Sequence, residues 1–314
     1  MDVGDFVSEH FHHFNAGELS RCGKSLKQFL DNGGRLIVTL AGAMSTAQIG
    51  RSLAPAIRSQ KIHAICCTGA NLEEDLFSLV ARSKYEEVPD WRELSASDEE
   101  KLRDRGMNRV TDVAIPEGIF RDVEKKLMSL WGDAEVAGDR RFPHEYLYDL
   151  LLHGDLEFDS DPEKSWLVSA ADANLPVFTP GWEDSTLGNI LAARILDRSV
   201  KDSSIIKSGL EAMQALADWY REDDSPTGIL QVGGGIAGDF AISVVPMLRQ
   251  DVGLDIPRWA WFAQISESKA SFGGYSGAPP NEKISWDKID TDTPRFVIES
   301  DATIVLPLLL SLLE

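Results

Sequence analysis

The chain has 314 residues and carries 31 Lys+Arg against 51 Asp+Glu, a formal net charge of −20, with 43% hydrophobic residues. That balance excludes a polybasic nucleic-acid binder, because neutralising phosphates takes clustered Lys and Arg. It leaves enough apolar material for one large α/β core.

No apolar stretch reaches the ~20 residues of a membrane helix; the strongest, residues 303–313, is interrupted by Pro307. The opening MDVGDFVSEH has no basic-then-apolar layout of a signal peptide. The three cysteines, Cys22 and the adjacent Cys66 and Cys67, cannot build a disulfide framework. A cytoplasmic protein without a membrane partner is expected.

In chain order, His10, His12 and His13 come first. No matching Cys or His cluster accompanies them, so they read as a surface segment and no metal site is expected. Leu19, Cys22, Leu26, Phe29 and Leu30 follow helical spacing, and Gly33-Gly34 supplies the stop. Short apolar runs at 36–41, 62–68, 175–179, 229–232, 259–265 and 295–299 read as strands covered on both faces. Leu210, Met213, Leu216, Ala217 and Tyr220 mark a later helix, and 302–313 a closing one.

Strand–helix alternation predicts an α/β, doubly wound, mostly parallel sheet of about six strands, Rossmann-like. No Pro/Gly/Ser linker divides 1–314, so a single domain is expected. The charged 85–112 stretch and the helical 116–172 block are taken as insertions, at about 84–172 together.

Ligands of such sheets gather at the carboxyl ends of the strands. There the chain places Ala41-Gly42-Ala43-Met44, then Thr68-Gly69-Ala70-Asn71-Leu72-Glu73-Glu74-Asp75, then the run from Thr179 to Asn189, and finally Gly233-Gly234-Gly235-Ile236-Ala237-Gly238-Asp239. The last satisfies G-x-G-x-x-G between a strand and a helix, although a plain tight turn has the same residues. Glu73, Glu74 and Asp75 also suit the first turn of a helix, and Asp184 with Ser185-Thr186 suits a helix cap. The Gly/Pro-rich 271–288 segment ends in Trp286 and Lys288. A desolvated lysine beside an aromatic wall is a nucleophile, and a solvated lysine beside a core tryptophan is the alternative.

Taken together these motifs resemble the deoxyhypusine synthase family. The resemblance rests on Glu73-Glu74-Asp75-Leu76, Phe178-x-Pro180 with Asp184-x-x-Leu187-Gly188, the triple glycine, Ser285-Trp286-x-Lys288-Ile289, Asp301-Ala302 and Asn108-Arg109. These occur in family order from about Arg35 to the C-terminus.

The resemblance implies an NAD-dependent aminobutyl transfer from a spermidine-type polyamine through a lysine Schiff base. It assigns Lys288 as the covalent lysine, and Trp286 and Glu282 to the substrate. Gly42, Ala43, Thr68, Gly69, Glu74, Asp184, Gly234, Gly235, Ala263, Asp301 and Ala302 fall to the cofactor. It further implies a homotetramer. The longer N-terminal extension of the eukaryotic members is not expected.

Three positions depart from the pattern. Asn189 stands where a polyamine-binding Asp is found, Asp239 where a His follows the triple glycine, and Tyr275 lies where the family's loop is acidic. Losing a carboxylate beside a buried ammonium forfeits a charge-assisted hydrogen bond of about 1.5–3 kcal/mol, which Asp239 is placed to restore. The altered pocket and the missing extension resemble the divergent, deoxyhypusine-synthase-like (homospermidine-synthase-like) branch, which implies a free diamine such as putrescine as the acceptor. A lysine of the translation factor 5A precursor is the alternative acceptor, and a degenerate NAD- or polyamine-binding protein the alternative of another class.

Overall fold

The computed structural model describes residues 2–313. Its strands are β1 (Arg35–Leu40), β2 (Ala64–Cys67), β3 (Glu86–Glu87), β4 (Met107–Val110), β5 (Val113–Pro116), β6 (Val177–Phe178), β7 (Thr227–Val232), β8 (Trp261–Ile265) and β9 (Arg295–Ile298). Six of them form one sheet in the order β6-β2-β1-β7-β8-β9. Every pairing in it is parallel, with Val38 opposite Ile65 on one side and Leu230 on the other. This is the doubly wound α/β sheet expected of the apolar runs.

Alternate residues of the strands feed two cores. Leu36, Val38, Leu40, Leu230 and Val232 pack with Leu19, Leu26, Leu72 and Leu306 on one face. Ile37, Ala64, Cys66, Ile229 and Phe262 pack with Leu216, Trp219, Ala241 and Ile242 on the other. A strand buried on both faces has no polar positions to spare, which explains its continuous apolar sequence. The cysteines are free and buried within these layers. No helix among the described residues is long and apolar enough to cross a membrane.

The chain winds outward from β1 through β2 to β6, then returns to lay β7, β8 and β9 on the opposite side. Connections after β1 and β7 therefore diverge, and a crevice opens between their carboxyl ends. That switch point is where parallel sheets of this kind hold ligands.

One sequence expectation gains detail and one is corrected. The charged 85–112 stretch, taken as an insertion, carries β3 and β4, which flank β5 in a small antiparallel sheet with Arg109 opposite Ala114. Its strands are two to four residues long and half polar, too short for periodicity to register.

Glu73, Glu74 and Asp75 do not lie in a helical first turn. The helix Gly69–Ala81 starts at the Thr68 cap, so the acids fall in its second turn, with Glu73 and Asp75 buried. Glu73 instead accepts hydrogen bonds from the backbone N–H of Thr186 and Leu187, both at 2.7 Å, at the start of the helix Thr186–Leu196. Asp75 accepts from the Ser165 hydroxyl and from Leu167 N–H at 3.1 Å, at the start of the helix Trp166–Asp172. The acids do serve helix N-termini, but those of distant helices. Burial pushes the Glu73 carboxyl up to about 7 and Asp75 to about 6, against the hydrogen bonds that favour their ionised forms.

Glu73→Ala should cost about 3 kcal/mol, from two buried backbone N–H donors left without an acceptor. Because the folded carboxyl titrates above its unfolded value, Glu73 contributes most below pH 5 and least above pH 7. Urea unfolding should therefore show a larger deficit for the variant at pH 5 than at pH 8, and an equal or reversed deficit would contradict this role.

Candidate functional site

The crevice at the switch point is walled by the loop after β1 and the turn after β7. Asn71, which is fully buried, organises the first wall. Its Nδ2 donates to the carbonyls of Leu40 and Gly42 at 3.2 and 2.9 Å, and its Oδ1 accepts from Ser45 N–H at 2.9 Å. Thr68 adds a bond from its hydroxyl to the Gly42 carbonyl at 2.7 Å while capping its own helix. Glu74 fastens the far end by accepting from Thr46 N–H at 3.2 Å and from the Thr46 hydroxyl. Gly42 has φ +61° and open space where a Cβ would stand. The loop thus presents backbone rather than side chains.

The second wall is the glycine turn. Gly233 has φ +76°, and a Cβ there would meet Ala41 at 2.9 Å, so the two walls are in contact at their base. Gly235, with φ +52°, opens the helix Gly235–Ile242. A strap, residues 270–278, lies across this turn. Gly235 N–H donates to the Ser276 hydroxyl at 3.2 Å, and a Cβ on Gly234 would fall 2.3 Å from that same oxygen. Two amides rising from the sheet interior hold the strap down. Gln264 Nε2 donates to the Ser276 carbonyl at 2.7 Å, and Gln231 exchanges bonds with the Tyr275 hydroxyl at 2.7 and 3.1 Å. Buried amides need such partners, and here the strap supplies them.

Beyond the strap lies a cavity of about 620 Å³ lined by Asp239, Tyr275, Glu282, Lys283, Trp286 and Lys288, among others. Lys288 is 7% exposed. Its Nζ stands 3.1 Å from Asp239 Oδ1 and 5.3 Å from the centre of the Tyr275 ring. The backbone around it is pinned, because Lys288 O accepts from Trp259 N–H at 3.1 Å. Asp287, at φ +60°, accepts from Arg249 at 2.8 Å and Arg258 at 2.5 Å. Asp239 comes from the helix that begins at the glycine turn, so one helix links crevice and cavity. A buried amine at a cavity wall, with a carboxylate beside it to take its proton, can attack a carbonyl or imine carbon once it is neutral.

The residues expected from sequence divide into groups. Lys288, Asp239, Tyr275, Glu282 and Trp286 line one cavity, although Trp286 is 62% exposed and forms its rim rather than a buried wall. Gly42, Ala43, Thr68, Gly69 and Glu74 belong to the first wall, with a Cβ on Gly69 only 2.6 Å from Ser185 Cβ. Asp184 is exposed beside the helix start that Ser185, not Asp184, caps. Asn189 spends its amide on the carbonyls of Glu183 and Ser185. Ala263 is fully buried in mid-strand and offers no surface to a ligand, being two residues short of the carboxyl end of β8. Asp301 caps the last helix, Ala302–Ser311, from beyond β9.

Sequence reading missed Asn71, Gln231, Gln264, Ser276 and Lys283. The two glutamines carried one signal, a lone polar residue inside each of two otherwise apolar strands.

The profile of the family described as deoxyhypusine synthase matches residues 8–313. The chain is 27% identical over 323 residues to a "Deoxyhypusine synthase-like protein" of Cyanothece sp., covering 98% of this chain and 78% of that one. It is 30% identical over 272 residues to a "Probable deoxyhypusine synthase 2" of Methanosarcina acetivorans, covering 86% and 73%. The solved structure of a "putative deoxyhypusine synthase" from Entamoeba histolytica matches with a TM-score of 0.61 at 12% identity, covering 99% of this chain and 92% of that one. At that identity it speaks to the fold alone.

If the strap is seated as described, Gly234→Ala drives a methyl group into Ser276 and must lift it. Limited proteolysis within 270–278 should accelerate by on the order of tenfold, while the rest of the chain stays protected. Unchanged cleavage would show that the turn and strap do not bear on each other.

Proposed function

The chain belongs to the deoxyhypusine synthase family, and on that premise we propose that it is an NAD-dependent aminobutyl transferase. It takes its group from a spermidine-type donor and passes it through Lys288 to a small free amine of the diamine class. The observation that carries this reading is the Lys288 amine, 7% exposed and 3.1 Å from Asp239 at the wall of a 620 Å³ cavity.

The fit of NAD is judged from the crevice. It lies at the switch point of the sheet, and nothing stands within 4 Å of a Cβ built on Gly42 or Gly235, whose positive φ turns the backbone towards open space. The dinucleotide would be held by Gly42, Ala43, Thr68 and Glu74 on one wall, and by Gly234 and Gly235 on the other once Ser276 yields. When bound, NAD supplies a reversible hydride store, withdrawing two electrons from the donor carbon and returning them at the end.

The chain's own residues do the rest. Lys288 must be neutral to attack, and Asp239 is the nearest acceptor for its proton. The neutral amine bonds the oxidised carbon of the donor, and the bond from that carbon to the leaving diamine breaks, giving a Schiff base on Lys288. The acceptor's amine then bonds the same carbon and the bond to Lys288 Nζ breaks, freeing the lysine; the two electrons that complete the product amine would be those stored on NAD. Glu282 and Asp239, both exposed at the cavity, receive the terminal ammonium of the donor. Tyr275 and Trp286 cover the alkyl chain, their rings 5.3 and 5.9 Å from Lys288 Nζ.

Incubation with spermidine, NAD and borohydride should leave an aminobutyl adduct on Lys288, read by peptide mass. Lys288→Ala should keep NAD affinity and lose transfer by about 10³-fold or more. An undiminished rate in the variant would remove the covalent role.

A further inference from the structure

Lys283 sits five residues before Lys288 and is more deeply buried, at 2% exposure. It is anchored on the short helix Glu282–Ser285, and its Nζ lies 4.7 Å from the centre of the Tyr275 ring and 5.6 Å from that of Phe262. The hydrogen bond it makes among the described residues is one donation to the Ala278 carbonyl at 3.1 Å. Among the described residues no carboxylate stands within ion-pair distance of it. An ammonium has three donors, and a buried cation without a counter-ion is costly.

The charges of the cavity are therefore unevenly paired: Lys288 has Asp239 at 3.1 Å, whereas Lys283 has only the Ala278 carbonyl among the described residues. The cavity's two buried ionisable groups are the lysines, whereas the acids Asp239, Asp251 and Glu282 are all exposed. A chain of ammonium groups suits the exposed acids Asp251 and Glu282 and is repelled by Lys283. Once Lys288 carries an imine, Asp239 remains beside that nitrogen, and Lys283 still has no carboxylate of its own among the described residues.

Resting on the reading of Lys288 as the carrier, we propose that the acceptor is a carboxylated diamine, an α,ω-diamino acid, whose carboxylate pairs with Lys283. Its α-amino group and side-chain amine then divide between the acidic rim and the Schiff base. Transfer follows the same bond changes as with a plain diamine, so no further oxidant or reductant is needed.

Burial first, and the charge of Lys288 second, draw the Lys283 ammonium down to about 8, with Glu282 and Asp239 opposing. Tyr275, facing both lysines, is pushed above its ordinary value by burial and stays neutral; Asp251 lies on the same cavity wall. Lys283 is thus mainly a cation at pH 7 and loses its charge as pH rises past 8.

The test compares ornithine with putrescine, which differ by one carboxylate, using calorimetric binding to the NAD-loaded protein. The unmodified chain should favour ornithine by about tenfold to a hundredfold at pH 7. That preference should fade between pH 7 and pH 9, and should be absent in Lys283→Met. Lys283→Arg, which keeps the charge, should retain it beyond pH 9. Equal affinities, a preference for putrescine, or a preference untouched by pH would each overturn the proposal, and the pH series does so even if the variants fail to fold. Borohydride trapping on Lys288 is scored separately. Ornithine preference without any adduct would sink the transfer reading while leaving Lys283 as the carboxylate site, and an adduct without the preference would do the reverse.

Discussion

The site depends on holding a primary amine inside the protein at the carboxyl edge of a parallel sheet. Lysine is a poor residue to bury, and its partner here gives little net stability, since Asp239 is 52% exposed and screened by water. What keeps Lys288 in place is the backbone: the bond from Trp259 N–H to its carbonyl, and Asp287 clamped between Arg249 and Arg258. Asp239 then selects where the amine points. The backbone position is thus set by groups away from the amine, and only its direction by Asp239, as preorganised sites require.

The same economy governs the crevice. Asn71 and Thr68 tie the loop after β1, two amides from the sheet tie the strap, and glycines keep both walls bare. Lys288 and the glycine turn are joined through one short helix, so movement of the turn would be felt at the amine. The strap's Ser276 takes the N–H of Gly235, the kind of donor a phosphate uses at a helix N-terminus.

Much of this was legible in the chain itself. The six parallel strands announced themselves because burial on both faces leaves runs such as Leu36-Ile37-Val38 without polar interruption. The glycine turn, Lys288 and the family followed from motifs in order. What escaped was long-range. Glu73 looks like a local helix-dipole residue until the backbone N–H groups 113 and 114 positions later are seen. Lys283 reads as solvated in any sequence, because only the packing of Tyr275 and Phe262 around it removes water. Ala263 was carried over from the family resemblance, and its full burial in mid-strand shows only in the packed sheet.

The central claim, that Lys288 itself carries the transferred group, is tested most directly by a single-turnover measurement with no acceptor present. With protein in excess over donor and NAD supplied, the account predicts prompt release of the leaving diamine, stoichiometric with donor bound, before any acceptor is added. Release that waits for the acceptor would contradict it, because direct transfer between amines needs no lysine in between.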